Sequence, residues 1–137
     1  LPTALPSKSD TLSYGSYLTN AAGCLECHTK QEKGQRLEGM EFAGGFEFKL
    51  PTGIVRSPNI TPAKSGLGNW SKAAFISRFK AYQNATNLPL PPNGTNTVMP
   101  WTMYAGMTEE DLGAIYTYLR TVNPIENKVV KFSPNKN

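Results

Sequence analysis

The stretch Cys24-Leu25-Glu26-Cys27-His28-Thr29 contains both cysteines and the only histidine of the 137-residue chain. Two residues separate the thiols, and the imidazole follows the second thiol directly. A disulfide that closes so short a loop would add little stability, because it removes little entropy from the unfolded chain. The segment therefore indicates chemistry rather than covalent bracing.

Four chemistries can use two cysteines at this spacing. In C-x-x-C-H each thiol can add to a haem vinyl group, and the histidine then supplies the proximal iron ligand. A thioredoxin-like motif requires a βαβ setting, whereas here a predicted helix precedes Cys24. A structural zinc ion requires four ligands, and this cluster offers three. A plain disulfide gives His28 no role. The pattern predicts one haem c, bound covalently through Cys24 and Cys27, with His28 as an iron ligand.

The opposite face of the haem iron must be served by another residue type. The sequence contains no second histidine, so the sixth ligand is a methionine, a lysine, an amino terminus, water or nothing. Met107 fits an apolar position beside a predicted helix cap, and Met40 lies soon after the attachment motif. Met99 precedes Pro100, which stiffens the chain beside it, and Met103 could reach the same space. The residues alone do not separate Met99 from Met103.

Three helices are predicted from capping residues and from apolar residues at helical spacing. The first spans residues 11–22 after Ser9 or Asp10, the second spans 72–83 after Ser71, and the third follows Thr108. The predicted apolar face of the first helix contains Leu12, Gly15, Leu18 and Ala22, widened by Tyr14 and Tyr17. That of the second contains Phe75, Phe79 and Tyr82, with Ile76 beside them, and that of the third contains Leu112, Ile115, Tyr116, Leu119 and Val122.

Two further segments have a recognisable pattern. Alternation of Phe46 and Phe48 with charged residues, followed by the turn Pro51-Thr52-Gly53, predicts one small β-hairpin. The polar, proline-rich stretch from Gln83 to Val98 predicts a long loop, which either shapes a docking surface or covers a haem edge.

Length and composition indicate one domain. Hydrophobic residues make up 39% and charged residues 18% of the chain, which is typical of a globular protein. We expect a tether over residues 1–10 and a single domain over residues 11–137. No run approaches the roughly 20 apolar residues of a membrane span. Whether a signal peptide, a lipid or membrane tether, or another domain precedes Leu1 stays open.

The formal net charge of +4 is compatible with an acidic protein partner. The lysines and arginines are dispersed, and no nucleic-acid-binding motif is present, so we expect no nucleic-acid partner.

Taken together, these motifs resemble those of class I c-type cytochromes. The resemblance is strongest to the single-haem domains of bacterial dehydrogenase cytochrome subunits and related periplasmic carriers, and it covers residues 11–123. The segments that carry it are 15–18, 24–29, 57–62, 66–71, 99–101, 107–112 and 114–119.

The resemblance implies an all-α cytochrome c fold, with three main helices, a small β-hairpin insertion and long loops around one covalent haem. It implies that the first and last helices cross where Gly15 approaches Tyr118. It also implies that Met99, in Met99-Pro100-Trp101, is the axial ligand, and Met103 is then the second choice.

The resemblance also suggests which residues contact the haem. Asn59, Ile60 and Trp70 would line its edge and help to hold the propionates, and Trp101 would contact it beside the methionine. Arg56 is a candidate propionate partner, because a guanidinium pairs bidentately with a carboxylate. Arg56 could equally well be a solvated charge on the hairpin. Trp70 could equally well serve only to pack the core.

These features predict an electron carrier and not an enzyme. An iron with histidine and methionine ligands keeps both in either oxidation state, and the weak methionine donor raises the reduction potential. We expect a monomer that shuttles one electron between a donor and an acceptor protein. The resemblance places it in the periplasm or otherwise outside the cytoplasm. The alternative is a haem c domain with an open sixth position, which acts in sensing or within a dehydrogenase complex. A non-haem structural domain is the third hypothesis.

Overall fold

The computed structural model describes residues 5–83 and 98–135, which contain five helices and five short strands. Most of the predicted loop from Gln83 to Val98 lies outside these residues. The helices are α1 (Thr11–Ala21), α2 (Cys24–Cys27), α3 (Lys72–Lys80), α4 (Trp101–Ala105) and α5 (Glu109–Leu119). The strands are β1 (Gln31–Glu32), β2 (Gln35–Arg36), β3 (Glu47–Leu50), β4 (Gly53–Arg56) and β5 (Phe132–Pro134).

Side-chain caps start the three helices that the sequence predicts. In each, the side chain of the residue before the helix accepts a hydrogen bond from a backbone amide in the first turn. The pairs are Asp10 with the Ser13 amide, Ser71 with the Ala74 amide, and Thr108 with the Asp111 amide. Three acidic residues in the first turn of α5 complement the positive end of the helix dipole. The helix α3 ends at Lys80, three residues earlier than predicted.

The sequence predicted three main helices, and the structure adds two short ones, α2 and α4. These helices have four and five residues, respectively. Segments this short cannot display a helical repeat, so periodicity could not reveal them.

The predicted hairpin is present, but it belongs to a larger sheet. The strands β3 and β4 pair antiparallel from Glu47 opposite Arg56 to Leu50 opposite Gly53. The strand β5 extends the sheet on the other edge of β4, and β1 and β2 form a second antiparallel pair. The all-α description therefore omits a three-stranded sheet. Its last strand pairs with residues almost 80 positions earlier, and no local pattern encodes that pairing.

The helices α1 and α5 cross in close contact at Gly15. A Cβ atom on Gly15 would lie 2.1 Å from the Ala114 carbonyl oxygen and 3.0 Å from Cβ of Tyr118. The crossing predicted from the resemblance is thus present, and it requires glycine at this position. The buried residues of α5 are Leu112, Gly113, Ala114, Ile115 and Leu119.

The prediction for the buried face of α1 is partly wrong. Leu12 is 48% exposed, and the buried residues are Tyr14, Gly15 and Thr19. The polar side chains on this face have hydrogen-bond partners. Tyr14 donates to Asp111 at 2.7 Å, and Thr19 donates to the Gly15 carbonyl at 2.7 Å. Tyr14 and Gly15 are thus buried as expected, whereas Thr19 is buried and Leu12 is not.

Candidate haem site

The cysteine pair lies on a single helical turn directly after α1. Gly23 has a φ of +76°, a conformation that glycine adopts without strain, and it turns the chain from α1 into α2. The amide of His28 donates to the Cys24 carbonyl at 2.9 Å, which fixes the histidine at the end of the turn. Both cysteines are free thiols; Cys24 is half-buried and Cys27 is exposed. Two thiols and an imidazole are thus held together by one short segment.

The imidazole of His28 is buried and oriented. Its exposed fraction is 8%, and Nδ1 lies 2.8 Å from the Pro58 carbonyl oxygen. A carbonyl accepts only, so Nδ1 carries the proton and Nε2 holds a lone pair suited to a metal ion. Burial lowers the pKa of His28 and outweighs the opposing effect of the Pro58 hydrogen bond. The ring is therefore neutral at pH 7, as an iron ligand must be.

Two backbone segments pack closely beneath this histidine. The Gly44 amide donates to the His28 carbonyl at 2.7 Å. A Cβ on Gly44, whose φ is +79°, would lie 2.5 Å from the carbonyl carbon of Pro58. Glycine at position 44 therefore lets the Pro58 carbonyl come close enough to orient the imidazole.

The Cys24 thiol does not have the property expected of the first cysteine in a thioredoxin-like pair. Burial, together with the nearby Cys27, raises the pKa of the Cys24 thiol to about 11, so it stays protonated at neutral pH. A redox-active pair requires a thiol whose pKa is lowered. The described residues also contain no group of three or more His, Cys, Asp or Glu side chains arranged to hold a metal ion such as zinc. Two free thiols beside a neutral, oriented imidazole instead fit a covalently attached haem.

The segment with the candidate sixth ligands lies against the end of α1. The Tyr104 hydroxyl, on α4, donates to the Ala22 carbonyl at 2.6 Å. Burial raises the pKa of Tyr104, and Ala22 lies two residues before Cys24. Residues about 80 positions apart are thereby brought together.

The two candidate methionines differ in exposure. Met99 is half-buried and directly precedes Pro100 and α4, and its carbonyl accepts from the Trp101 amide at 2.8 Å. Met103 lies within α4 and is 64% exposed.

Asn59 is buried, and its side chain binds other parts of the chain. It is 5% exposed, and its amide nitrogen donates to the Ile125 carbonyl at 2.7 Å. Its amide oxygen accepts from the backbone amide and the hydroxyl of Thr61, at 2.9 and 2.8 Å. These bonds join the loop that follows Pro58 to the segment after α5, so the placement of Asn59 gives it a structural role. Its predicted role at a propionate stays a prediction.

The other predicted edge residues lie at the rim of the helical core. Ile60 is half-buried against the core, and its amide donates to the Phe42 carbonyl at 2.8 Å. Trp70 is 38% exposed, and its carbonyl accepts from the Tyr116 hydroxyl at 2.6 Å. Their haem contacts also stay predictions.

Arg56 lies on β4 with its guanidinium engaged within the sheet region. It pairs with Glu47 at 2.9 Å and donates to the Ser133 hydroxyl at 2.8 Å and the Val130 carbonyl at 3.1 Å. It also lines a cleft of about 440 Å³ whose lining includes none of the predicted iron ligands or attachment cysteines. The propionate role of Arg56 is untested, and its observed partners are those of a residue that holds β5 against β4.

Trp101 lies in an aromatic cluster that the sequence did not reveal. Its ring stacks on Tyr82 at 5.1 Å between centroids and 15° between planes, and it meets Phe79 at 5.1 Å. The guanidinium of Arg78 lies 4.2 Å from the centroid of the Trp101 ring. Arg78 could not be singled out from the sequence, because a basic residue near the end of a predicted helix is too common to indicate a site.

Comparison with known proteins agrees with this geometry. The sequence profile of the family Cytochrome c matches residues 12–123. The chain is 35% identical to the fructose dehydrogenase cytochrome subunit of Gluconobacter japonicus, over 91% of this chain and 24% of that protein. It is 36% identical to the gluconate 2-dehydrogenase cytochrome c subunit of Pantoea cypripedii, over 76% of this chain and 21% of that protein. It is 33% identical to the quinone alcohol dehydrogenase cytochrome c subunit of Komagataeibacter europaeus, over 81% of this chain and 22% of that protein.

The fold, the attachment motif and the family profile together place this chain in the cytochrome c family. Membership implies a covalently bound haem c, and the Cys24–His28 segment has the required sequence and geometry. Cytochrome c domains transfer electrons through a bound haem c, and the relatives named here are cytochrome subunits of dehydrogenases. It spans less than a quarter of the length of the curated dehydrogenase subunits that it resembles.

Proposed function

We propose that this chain shuttles single electrons between two protein partners through one haem c. Cys24 and Cys27 would bind the haem covalently, and His28 and Met99 would bind its iron. When bound, the haem iron supplies a one-electron couple that keeps both axial ligands in either oxidation state. The observation that carries the proposal is the hydrogen bond from His28 Nδ1 to the Pro58 carbonyl, which leaves Nε2 free beside two free thiols.

Residues around His28 hold the imidazole as an iron ligand. The Pro58 carbonyl fixes the tautomer and the ring plane, and a hydrogen bond of this kind also makes the opposite nitrogen a better donor. Burial keeps the ring neutral and excludes water from it. The ligand is therefore preorganised, so a change of iron charge requires little movement of the protein.

The exposure of the two methionines supports the choice of Met99. A thioether that binds iron must lie in the interior, beside the haem face. Met99 is half-buried and next to the rigid Pro100, whereas Met103 is 64% exposed. Ile60, Trp70 and Trp101 are the proposed apolar contacts of the haem.

The proposed physiological partners are a dehydrogenase and a downstream electron acceptor. The relatives named above are cytochrome subunits of dehydrogenases, and the net charge of +4 suits transient encounters with acidic surfaces. We place the carrier outside the cytoplasm, because bacteria attach haem covalently after export, and we propose that it acts as a monomer. Within the described residues, no helix is both long and apolar enough to cross a membrane.

The ligand assignment is tested by replacing each methionine in the haem-loaded protein. Met99→Ala is expected to abolish the weak far-red absorption band of an iron–methionine bond and to produce high-spin ferric features. Its reduction potential should fall, because a weak thioether donor favours the ferrous state. Met103→Ala is the matched control and should leave both the spectrum and the potential unchanged.

Two outcomes would contradict the assignment. If the band survives in Met99→Ala and disappears in Met103→Ala, the ligand is Met103. High-spin features in the unsubstituted protein at neutral pH would instead support an open sixth position, as in a sensing domain. Covalent attachment is checked separately, since haem bound through Cys24 and Cys27 stays with the chain in acidified acetone.

A further inference from the structure

The last turn of α3 contacts both ends of α4, the short helix that follows Met99. At one end, the ammonium group of Lys80 donates to the Ala105 carbonyl at 3.0 Å and to the Met107 carbonyl at 2.5 Å. These carbonyls lie at and just beyond the end of α4, where the backbone of a helix leaves acceptors without helical partners. A lysine cation is a common partner for such acceptors.

At the other end, α3 contacts the first residue of α4. The rings of Phe79 and Trp101 are 5.1 Å apart, and the guanidinium of Arg78 lies 4.2 Å from the Trp101 ring centroid. Three consecutive residues of α3, from Arg78 to Lys80, thus touch the beginning and the end of α4. Two points of contact fix the orientation of a helix, whereas one would leave it free to pivot.

Movement of α4 would be passed directly to Met99. The helix is five residues long, about 7.5 Å at the usual rise per residue. Its amides bond back to the preceding segment, from Trp101 to the Met99 carbonyl at 2.8 Å and from Tyr104 to the Pro100 carbonyl at 3.2 Å. These bonds join the Met99 backbone directly to α4, so the position of the helix sets the position of the backbone from which the thioether extends.

The partners of Lys80 distinguish it from an ordinary surface lysine. The side chain is half-buried, and across residues 5–83 and 98–135 its ammonium group forms no ion pair with a carboxylate. Backbone carbonyls of the segment from α4 to α5 are its hydrogen-bond acceptors. The cation therefore stabilises one particular placement of this segment.

We propose that Lys80 is a positioning residue for the sixth haem ligand. Its two hydrogen bonds hold α4 so that the sulfur of Met99 stays within bonding distance of the iron. The inference rests on the proposed His28/Met99 ligation and adds what keeps the methionine in place. Without Lys80 the methionine dissociates more readily, and external ligands reach the iron more easily.

The test compares three variants of the haem-loaded protein. Lys80→Met removes the donor and keeps a long apolar side chain, while Lys80→Arg keeps a cation that can donate to carbonyls. Arg120→Met is the matched control, because Arg120 donates to the Leu67 carbonyl at 2.8 Å, away from α4. For each protein we would measure the far-red band, the reduction potential, the affinity of the ferric form for imidazole and the thermal midpoint.

Lys80→Met is expected to bind imidazole about tenfold more tightly, with a weaker far-red band and a lower potential, since two charge-assisted hydrogen bonds no longer oppose methionine release. Lys80→Arg should restore values close to those of the unsubstituted protein. Arg120→Met should lower the thermal midpoint and leave imidazole affinity unchanged. If Lys80→Met does not accumulate, Lys80→Gln gives the same comparison.

An unchanged imidazole affinity in Lys80→Met would overturn the proposal. An equal rise in Arg120→Met would do the same, because both effects would then come from lost stability. If the unsubstituted protein lacks the far-red band, the Met99 assignment fails and this inference fails with it. If the band is present and is lost in Met99→Ala but not in Lys80→Met, the ligand assignment stands and only the role of Lys80 is wrong.

Discussion

Tyr14 joins the first and last helices through one side-chain hydrogen bond. Its hydroxyl donates to Asp111 at 2.7 Å, across 97 positions of sequence, and the Tyr14 side chain is 9% exposed. This bond, with a smaller effect of burial, raises the pKa of Tyr14 to about 12. In the unfolded chain tyrosine titrates near pH 10. The folded protein thus retains this proton at pH values where the unfolded chain releases it.

The sign of the pH effect follows from that difference. The stabilisation from Tyr14 is fully present below about pH 10 and is lost as the pH rises towards about 12. Tyr14→Phe should reduce the free energy of unfolding by about 1 kcal/mol at neutral pH, as for a typical hydrogen bond. It should also make stability fall less steeply between pH 10 and 12. Denaturant titrations across this range would measure both effects.

Tyr17→Phe is the control for this prediction, because Tyr17 lies on the same helix and is 41% exposed. Stability curves for Tyr14→Phe and the unsubstituted protein that stay parallel from pH 8 to 12 would show that the Tyr14 proton is not linked to folding.

At the scale of the secondary-structure element, the crossing of α1 and α5 depends on a missing side chain. Gly15 faces the backbone of α5, and a Cβ there would overlap the Ala114 carbonyl oxygen at 2.1 Å. Backbone cannot move aside as the end of a flexible side chain can. The two helices would have to separate, which would loosen the packing along the whole contact.

Gly15→Ala should therefore lower the free energy of unfolding by about 3 kcal/mol, the upper range for overpacking a core. Gly113→Ala, on helix α5, is the control, because the added methyl group would not overlap any backbone atom. Its added Cβ would meet only side-chain atoms of Lys72 and Ile76, at 3.6 and 3.7 Å. Because alanine is the better helix former, Gly113→Ala should be neutral or stabilise by up to about 1 kcal/mol. Urea denaturation of both variants checks the contrast, and equal losses would refute it.

At the scale of the whole molecule, long-range contacts hold segments that local patterns leave undetermined. Asn59 binds Ile125, Tyr104 binds Ala22, and β5 pairs with β4. Each contact joins residues more than 60 positions apart. The loops beside the cysteine motif are thus fixed by the later half of the chain.

The net charge of the whole chain leads to a prediction about electron exchange. The formal charge is +4 before two haem propionates are counted, so an anionic redox reagent is attracted and a cationic one is repelled. Exchange with ferrocyanide should slow several-fold as ionic strength rises from about 0.01 to 0.15 M, while the screening length falls from about 30 to 8 Å.

Exchange with hexaammineruthenium should accelerate over the same range. Stopped-flow measurement of both rates provides the comparison. Two rates that change in the same direction would show that the surface near the haem does not carry the sign of the net charge.

The structural features that were predicted correctly are those encoded by residues close together in the chain. The motif from Cys24 to His28, the caps at Ser71 and Thr108, and the turn at Pro51 are each encoded within a few residues. Helices α3 and α5 and the hairpin were therefore predicted correctly, with an error at the end of α3. The buried face of α1 was predicted only in part, because Gly15 and Tyr14 are buried as expected, whereas the more apolar Leu12 is exposed and the polar Thr19 is buried.

Residues close together in the chain were enough to predict the covalent chemistry, since two thiols and the only histidine lie within five consecutive residues. The class of protein was implied by the resemblance of this motif and six further segments to those of class I c-type cytochromes. The surroundings of that motif depend on contacts made in the folded chain. The tertiary structure placed the Pro58 carbonyl on His28, Asn59 against Ile125 and Lys80 against the end of α4. The physical reason is that side chains bind whichever backbone groups folding leaves beside them, and no local pattern records a partner 25 or more residues away.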